Sequence, residues 1–576
     1  MKKSMLYSSV ANPGRRNFFK TGVAATGAIL VASGETQAQV APAILPPSLA
    51  TVPWLDDLPI YTAKPSVDSL SPAPTGIRVD GECGREFHQA WPQFPPQRFY
   101  EMHVREGTHR FHRHYPDQTI WGYDGITPGP VFHGRYGIPA VVRIHNDLPD
   151  NAQGPGSPEI STHLHNLHTP SASDGFAGNY YSATKNGPTL GAPGGFQDHH
   201  YPHVYAGVDE FGGIGDPREG LGTLWYHDHR LDFTAPNVLR GLAGFYLMFD
   251  DLDSGNEHDP APALRLPSGQ YDVPIIFGDR RFDTGGYLVW DQLSSEGVLG
   301  DKVIVNGKIE PVLRVAKRKY RFRLLNGGPT RFYEFYLVTP TDVVQRFTYI
   351  ANDGNLLPAP LLNQTRVRLG VAERADIVVD FSPYPVGTEL FVVNRLRQDD
   401  TRGPKDVRAP GTRLMKIIVG DFPIEADVSQ VPSVLRPLRP PTAEEIAAAP
   451  VRRFEFARTN GLWTVNDQLF NANSPRVKVT KGAAEIWELV NPSGGWSHPV
   501  HIHFEEGHII SRTRDGISIP VPAHEKGRKD VYVLGPTSTV RVFLRFRDFT
   551  GKYLMHCHNT VHEDHAMMLR WDIEDD

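Results

Sequence analysis

The sequence predicts an all-β protein made of three related sandwich-like units, and three observations predict it. Gly and Pro number 54 and 50 among 576 residues, which supplies the turns that a chain of short strands needs. Apolar and polar residues alternate over short stretches such as Tyr100-Glu101-Met102-His103-Val104 and Ala140-Val141-Val142-Arg143-Ile144, the period of a half-buried strand. A unit running from a proline through a strand to an asparagine recurs loosely three times, from Thr127-Pro128-Gly129-Pro130 to Asn146, from Pro311 to Asn326 and from Pro475 to Asn491. Three copies of one strand-and-turn unit argue for three related domains. A chain of 576 residues also exceeds one domain at the usual ~100–200 residues each.

Taken in order, residues 1–40 read as a targeting segment. Gly14-Arg15-Arg16-Asn17-Phe18-Phe19-Lys20 precedes a mild apolar run from Gly22 to Ala32, with small residues around Gln37-Ala38, and the paired arginines resemble a twin-arginine export signal. The run is shorter than the ~20 residues a bilayer span requires, so no membrane span and a periplasmic or secreted destination are expected. Residues 53–250 carry the first set of strand signals. Within them, Phe176 to Gly222 reads as a long Gly- and Tyr-rich loop whose role the sequence does not reveal. Its His199-His200-Tyr201-Pro202-His203 reads as an ordinary exposed or strand-flanking cluster. Residues 270–425 form a second unit, with strand signals at Val303-Ile304-Val305-Asn306-Gly307 and Tyr320-Arg321-Phe322-Arg323-Leu324-Leu325-Asn326. The Pro- and Ala-rich stretch 422–450 reads as an extended linker, and residues 451–576 form the third unit.

With 40% hydrophobic residues the chain can bury sizeable cores, and a net charge of −6 with no basic block beyond the N-terminus gives no support for nucleic-acid binding. The two cysteines are Cys83 and Cys557; if Cys557 binds a metal, no intrachain disulfide forms and Cys83 is a spare thiol.

The chemistry concentrates in His556-Cys557-His558-Asn559-Thr560-Val561-His562-Glu563-Asp564-His565-Ala566-Met567. A thiolate, imidazoles and a thioether in so short a stretch are the soft donor set that copper selects. On a strand, alternation sends His556 and His558 to one face and Cys557 to the other, so different metal ions can sit before and behind the strand, joined through a few covalent bonds. His562 and Met567 follow a turn and can fold back beside Cys557, giving a His₂Cys site with a weak axial Met once a second His arrives from elsewhere. Upstream stand His163-Leu164-His165, His227-Asp228-His229 and His498-Pro499-Val500-His501-Ile502-His503. Ten of the 25 histidines fall in four windows totalling 19 residues, where an even spread would put about one. Each His-x-His places two ligands on one strand face, as a multinuclear centre requires. His168, His508 and His565 sit beside these motifs but break their spacing.

These four motifs, in this order, resemble the copper-binding motifs of the multicopper oxidases. The sequence is most similar to the bacterial three-domain laccases of the spore-coat type, with bilirubin oxidases and phenoxazinone synthases as relatives. The resemblance implies three cupredoxin-like Greek-key β-sandwiches and four copper ions. Cys557, His498, His562 and axial Met567 would hold the type 1 copper, and His163 and His501 the type 2 copper. His165, His227, His229, His503, His556 and His558 would hold the type 3 pair. It also implies that the first and third units face each other, with the second acting as a spacer. One position departs: the Gly that usually follows the first His-x-His is Asn166 here.

The activity implied is one-electron oxidation of a small-molecule or metal-ion substrate at the type 1 copper, near the edge of His498, coupled to four-electron reduction of O₂ to water. Asp174 and Glu563 match the family's proton-handling carboxylates. A monomer is expected. A cuprous, ferrous or manganous oxidase would share every ligand, but the eight methionines are scattered rather than clustered. A non-enzymatic relative that supports cell division would have lost ligands, and the Cys557 triplet and third unit disfavour a two-domain nitrite reductase.

Overall fold

The structure, a computed structural model, describes residues 46–85, 87–291, 294–421 and 425–576. The expected export segment lies outside them. Among the described residues no helix is long and apolar enough to cross a membrane.

Six sheets stack in pairs as three β-sandwiches. In the first, strands Gln118–Tyr123, Arg98–His109, Ala140–Asn146 and Phe196–Tyr201 form one sheet, and Phe132–Arg135, Ala243–Phe249, Thr223–Asp228 and Thr162–His165 form the other. The second sandwich pairs an eight-stranded sheet with a five-stranded one, and the third a seven-stranded sheet with a five-stranded one. Each encloses its own apolar core, around Tyr123, Leu164 and Tyr246 in the first, Phe277, Phe322 and Leu390 in the second and Trp487, Val500 and Trp571 in the third. Inward residues alternate with outward ones along the strands, as sheet-on-sheet packing demands.

The threefold repeat has a structural counterpart. In every copy a short strand pairs in parallel with the last strand of one sheet: Phe132–Arg135 with Ala243–Phe249, Val312–Val315 with Val407–Val419, and Val477–Thr480 with Met568–Glu574. The next strand then crosses to the other sheet and again pairs in parallel, Ala140–Asn146 with Arg98–His109, Lys319–Asn326 with Asp272–Phe282, and Ala484–Asn491 with Val451–Thr459. The terminal asparagine does the same work each time. Asn146, Asn326 and Asn491 accept the backbone N–H two residues on at Oδ1. They donate from Nδ2 to carbonyls of separate loops, Tyr181, Leu369 and Trp496 among them. Asparagine is chosen there because one side chain must both close a turn and satisfy distant buried carbonyls.

Three expectations need adjustment. Residues 48–58 pack on the second sandwich: Trp54 meets Phe391 at 5.5 Å, and Leu58 donates its backbone N–H to Val312 O at 2.8 Å. The stretch 176–222 is loop for most of its length, as expected, but it carries the edge strand Phe196–Tyr201 and short helices at Val208–Phe211 and Pro217–Glu219; its Tyr181, Tyr201 and Tyr205 side chains fill core space that local composition does not register. Within 425–450 a helix spans Ala443–Ala448, started by the Thr442–Glu445 capping box, and buried Arg436 ties the segment to Asp250 of the first sandwich at 2.6 Å.

The first and third sandwiches touch directly. Phe176, Ala177 and Leu231 pack with Phe470, Leu554 and Met568. Beside that contact, Trp225 and Phe245 of the first unit share a cluster with Leu325 and Ala372 of the second and Val531 of the third.

Candidate metal centres

Two pairs of antiparallel strands deliver the histidines to this interface. Thr162–His165 lies against Thr223–Asp228 with His163 opposite His227. His498–Ile502 lies against Gly551–Cys557 with His501 opposite His556 and Val500 opposite Cys557. The alternation expected of the His-Cys-His triplet holds: His556 turns to the interface, and Cys557 turns to the third core among Val500, Met555 and Met567.

Four groups of donors converge, all buried: His163, His165 and His501; His165, His227 and His558; His229, His503 and His556; and His498, Cys557 and His562. In the third group the Nε2 atoms of His229 and His503 each lie 3.2 Å from that of His556. Their Nδ1 atoms face carboxylates, His229 and His556 at 3.2 and 3.0 Å from the two oxygens of Glu563 and His503 at 2.8 Å from Asp174 Oδ2. A carboxylate that takes the Nδ1–H leaves the Nε2 lone pair pointing at its neighbours. Burial, with neighbouring imidazoles, holds His503 well below the usual histidine range, and burial lowers His229 to about 3. Neutral imidazoles with lone pairs in contact, dry and without a shared proton, suit a cation between them.

The second side of the cluster follows the same logic. His163 donates from Nδ1 to Asp174 O and His501 to Asp530 O at 2.9 Å, leaving their Nε2 atoms 3.4 Å apart. His227 bonds Asp228 O through Nδ1 at 2.9 Å, while its Nε2 and both ring nitrogens of His558 are buried without a hydrogen-bond partner. Such orphaned nitrogens are costly unless something ligates them. The donor set therefore fits metal ions of the copper class.

Behind the strand, Cys557 Sγ lies 3.5 and 3.6 Å from the Nδ1 atoms of His498 and His562, which are 3.3 Å apart. Met567 is fully buried beside them and its carbonyl accepts the Cys557 N–H at 3.0 Å. Trp463 stacks on His562 at 3.8 Å, and the second sandwich reaches over to place Glu296 O 3.0 Å from His562 Nε2. His498, expected to present an edge to substrate, is 0% exposed, with Trp463 edge-on to its ring at 5.7 Å.

Asp174 ends the helix Ser171–Asp174, and Gly175 follows at φ +86°, where an added Cβ would lie well inside contact distance of the Thr162 carbonyl oxygen. A side chain there would collide with the strand bearing His163, so the turn that aims Asp174 requires glycine. Thr234 fixes Glu563 from the other side, donating to Oε1 at 2.7 Å. Asn166 sits at φ +79°, the left-handed region in which glycine is strain-free. Its side chain donates to Asp353 O and to Glu506 Oε1, both at 2.7 Å, and so joins all three sandwiches one residue beyond His165. Asn166→Gly should relieve about 1 kcal/mol of left-handed strain but lose a bond to a charged group worth about 1.5–3 kcal/mol. A melting temperature lowered by a few degrees is expected by calorimetry; an unchanged or raised one would show the bridge to be idle.

Sequence reasoning missed Asp530. Its Oδ2 lies 3.3 Å from His165 Nε2, and Arg374 of the second sandwich holds it with two 2.8 Å bonds. No local spacing marks it, since both partners come from other units. The cluster His199, His200 and His203 is buried rather than exposed. His199 and His200 hydrogen-bond Ser173 O at 3.0 Å and Phe94 O at 2.8 Å, and His203 bridges Ile138 O and the Tyr246 hydroxyl. His168 pairs with Asp548 at 2.7 Å.

Comparison with known proteins agrees with this geometry. A multicopper oxidase family profile matches residues 436–576. The chain is 34% identical over 478 residues to bilirubin oxidase of Albifimbria verrucaria, covering 82% of this chain and 75% of that one. It is 30% identical over 525 residues to a laccase of Bacillus subtilis, covering 83% and 94%. Among solved structures, a laccase of Pediococcus acidilactici superposes with a TM-score of 0.69 at 25% identity, covering 92% and 96%. Similarity that extends through all three sandwiches, together with donor groups on both faces of one strand, makes this chain a member of the multicopper oxidase family, a copper-dependent oxidoreductase that uses O₂ as acceptor.

Proposed function

We propose that this oxidase carries four copper ions and acts on phenolic or related organic reductants, a reading supported by its similarity to a bilirubin oxidase and to laccases. Cys557, His498, His562 and Met567 would hold the type 1 ion. His163 and His501 would hold the type 2 ion, and His165, His227 and His558 with His229, His503 and His556 the type 3 pair. When bound, copper supplies one-electron oxidation of the reductant on the Cys557 side and four-electron reduction of O₂ to water on the histidine side.

The observation that carries this reading is the strand Gly551–Cys557, which offers Cys557 to one donor group and His556 to another one residue away. Trp463, stacked on His562, and the Glu296 carbonyl fix that imidazole and screen the thiolate site from water. Asp174 and Glu563 hold the ligand tautomers and stand within reach to carry protons to the oxygen side. Substrate delivers electrons through the aromatic shell over His562 rather than by touching His498.

Steady-state kinetics of copper-loaded protein with a phenol, bilirubin, Cu(I), Fe(II) and Mn(II) in parallel test the substrate class, and metal analysis tests the stoichiometry. Faster turnover of a metal ion than of either organic substrate, or copper well short of four per chain after copper-replete expression, would overturn the proposal. Met567→Leu should raise the type 1 potential, because the axial ligand tunes it; an unchanged value on redox titration would remove Met567 from the site.

The same reading places the mature protein as a monomer in the periplasm or outside the cell, exported folded by the twin-arginine route. Arg15→Lys with Arg16→Lys should leave the protein in the cytoplasm on fractionation, and unaltered export would refute the signal.

A further inference from the structure

The first sandwich carries a second constellation of metal-type donors that plays no part in the oxidase chemistry above. On the parallel strands Arg98–His109 and Ala140–Asn146, His103 stands opposite His145. Met102, Val104 and Ile144 face the core, so His103, His145 and Glu101 share the outer face of the sheet. The two imidazoles lie 4.5 Å apart between centroids and 6° from parallel. Each has one nitrogen against a carboxylate, His103 Nδ1 at 2.6 Å from Asp147 Oδ2 and His145 Nε2 at 2.9 Å from Glu101 Oε1. The other nitrogens, His103 Nε2 and His145 Nδ1, have no protein partner among the described residues. Donor atoms of Glu101, His103 and His145 lie within 4.8 Å of one another. His103 and Asp147 are 39% and 47% exposed, so an ion can enter from solvent. Nearby Asp124 is already engaged, by Lys64 at 2.5 Å and by the His103 backbone N–H.

From this juxtaposition we infer that His103, His145, Glu101 and Asp147 form an accessory site for one divalent ion of the zinc or cupric class, separate from the oxidase centres. Two mixed N/O pairs suit such borderline ions, whereas Mg²⁺ and Ca²⁺ prefer oxygen alone. Two neighbouring strands hold the rings side by side, so ring rotation without backbone movement is what turns their nitrogens onto one ion. The alternative, a pair of solvated ion pairs, leaves nothing for a metal to find.

The test is calorimetric titration of Zn(II) into the full-length, copper-loaded protein, with Mg(II) present in large excess in a parallel run. One Zn(II) per chain beyond the copper complement is expected, unaffected by Mg(II). His103→Ala and His145→Ala should each weaken binding at least about tenfold, while blue colour, copper content and turnover stay at parent values and so report an intact fold. Absence of a saturable additional site, equal affinity in both variants, or displacement by Mg(II) would each overturn the inference.

Discussion

Cys557→Ser protein is expected to be colourless and unable to oxidise any reductant, while its sandwiches and interfacial histidine cluster persist. Cys557 is fully buried in the third core, and burial pushes its thiol up; it forms a thiolate only when a metal displaces the proton. A serine hydroxyl occupies nearly the same volume but is a poor donor for a soft ion. Copper should fall by one ion per chain and turnover to background. The far-ultraviolet circular dichroism should be unchanged, because packing around position 557 barely alters. Visible absorption, copper analysis and a stopped assay with a phenol give the outcome. A variant that stays blue would remove Cys557 from the site and with it the two-sided strand.

The second large effect belongs to the carboxylates behind the histidines, and the two should differ. Asp174 uses one oxygen toward His503, and an amide oxygen can replace it, so Asp174→Asn keeps the ligand in place and removes only the proton. Glu563 presents its two oxygens to His229 and His556 at 3.2 and 3.0 Å; Glu563→Gln must turn an NH₂ toward one of these imidazoles and lose that electrostatic contact. Anaerobic reduction of the blue site by substrate should remain near the parent rate in Asp174→Asn, while reoxidation by O₂ slows by about 10²–10⁴, the usual worth of positioned acid catalysis. Glu563→Gln should show the same slowing together with partial loss of interfacial copper.

Burial raises the Asp174 carboxyl well above its ordinary range. A raised acid keeps its proton to higher pH, so Asp174 acts as donor below its own pKa and loses that role as pH rises through it. Parent reoxidation should therefore decline with rising pH, and Asp174→Asn should be slow throughout with that limb flattened. Stopped-flow half-reactions at several pH values decide it: reoxidation at the parent rate makes the carboxylate structural, and slowed reduction puts it on the wrong side of the strand.

Much of this was legible in the chain, for a physical reason. His163, His165, His556, Cys557 and His558 announce themselves because strand alternation is a local rule, so two residues of spacing already fix which face a ligand takes. The repeat ending at Asn146, Asn326 and Asn491 was visible because the turn it closes is local as well. Asp530, Thr234, Glu296 and Trp463 were not legible, since each reaches its partner, the Glu563 carboxylate for Thr234 and an imidazole for the others, from a distant part of the chain. Within 176–222 the strand was missed because glycine and tyrosine read as loop from composition, while pairing of Phe196–Tyr201 with Ala140–Asn146 is a tertiary event. His199, His200 and His203 misled likewise: burial became tolerable through distant carbonyl acceptors.

The two kinds of donor group differ in how far apart along the chain their members begin. His498, Cys557, His562 and Met567 all arise within the third sandwich, so that unit can gather them as it folds, with only modest loop closure to overcome. The interfacial histidines run from His163 to His558 and come together only after the first and third sandwiches have docked. Assembly is thereby ordered: the thiolate site can mature in a half-assembled chain, whereas the oxygen-reducing cluster exists only in the completed one.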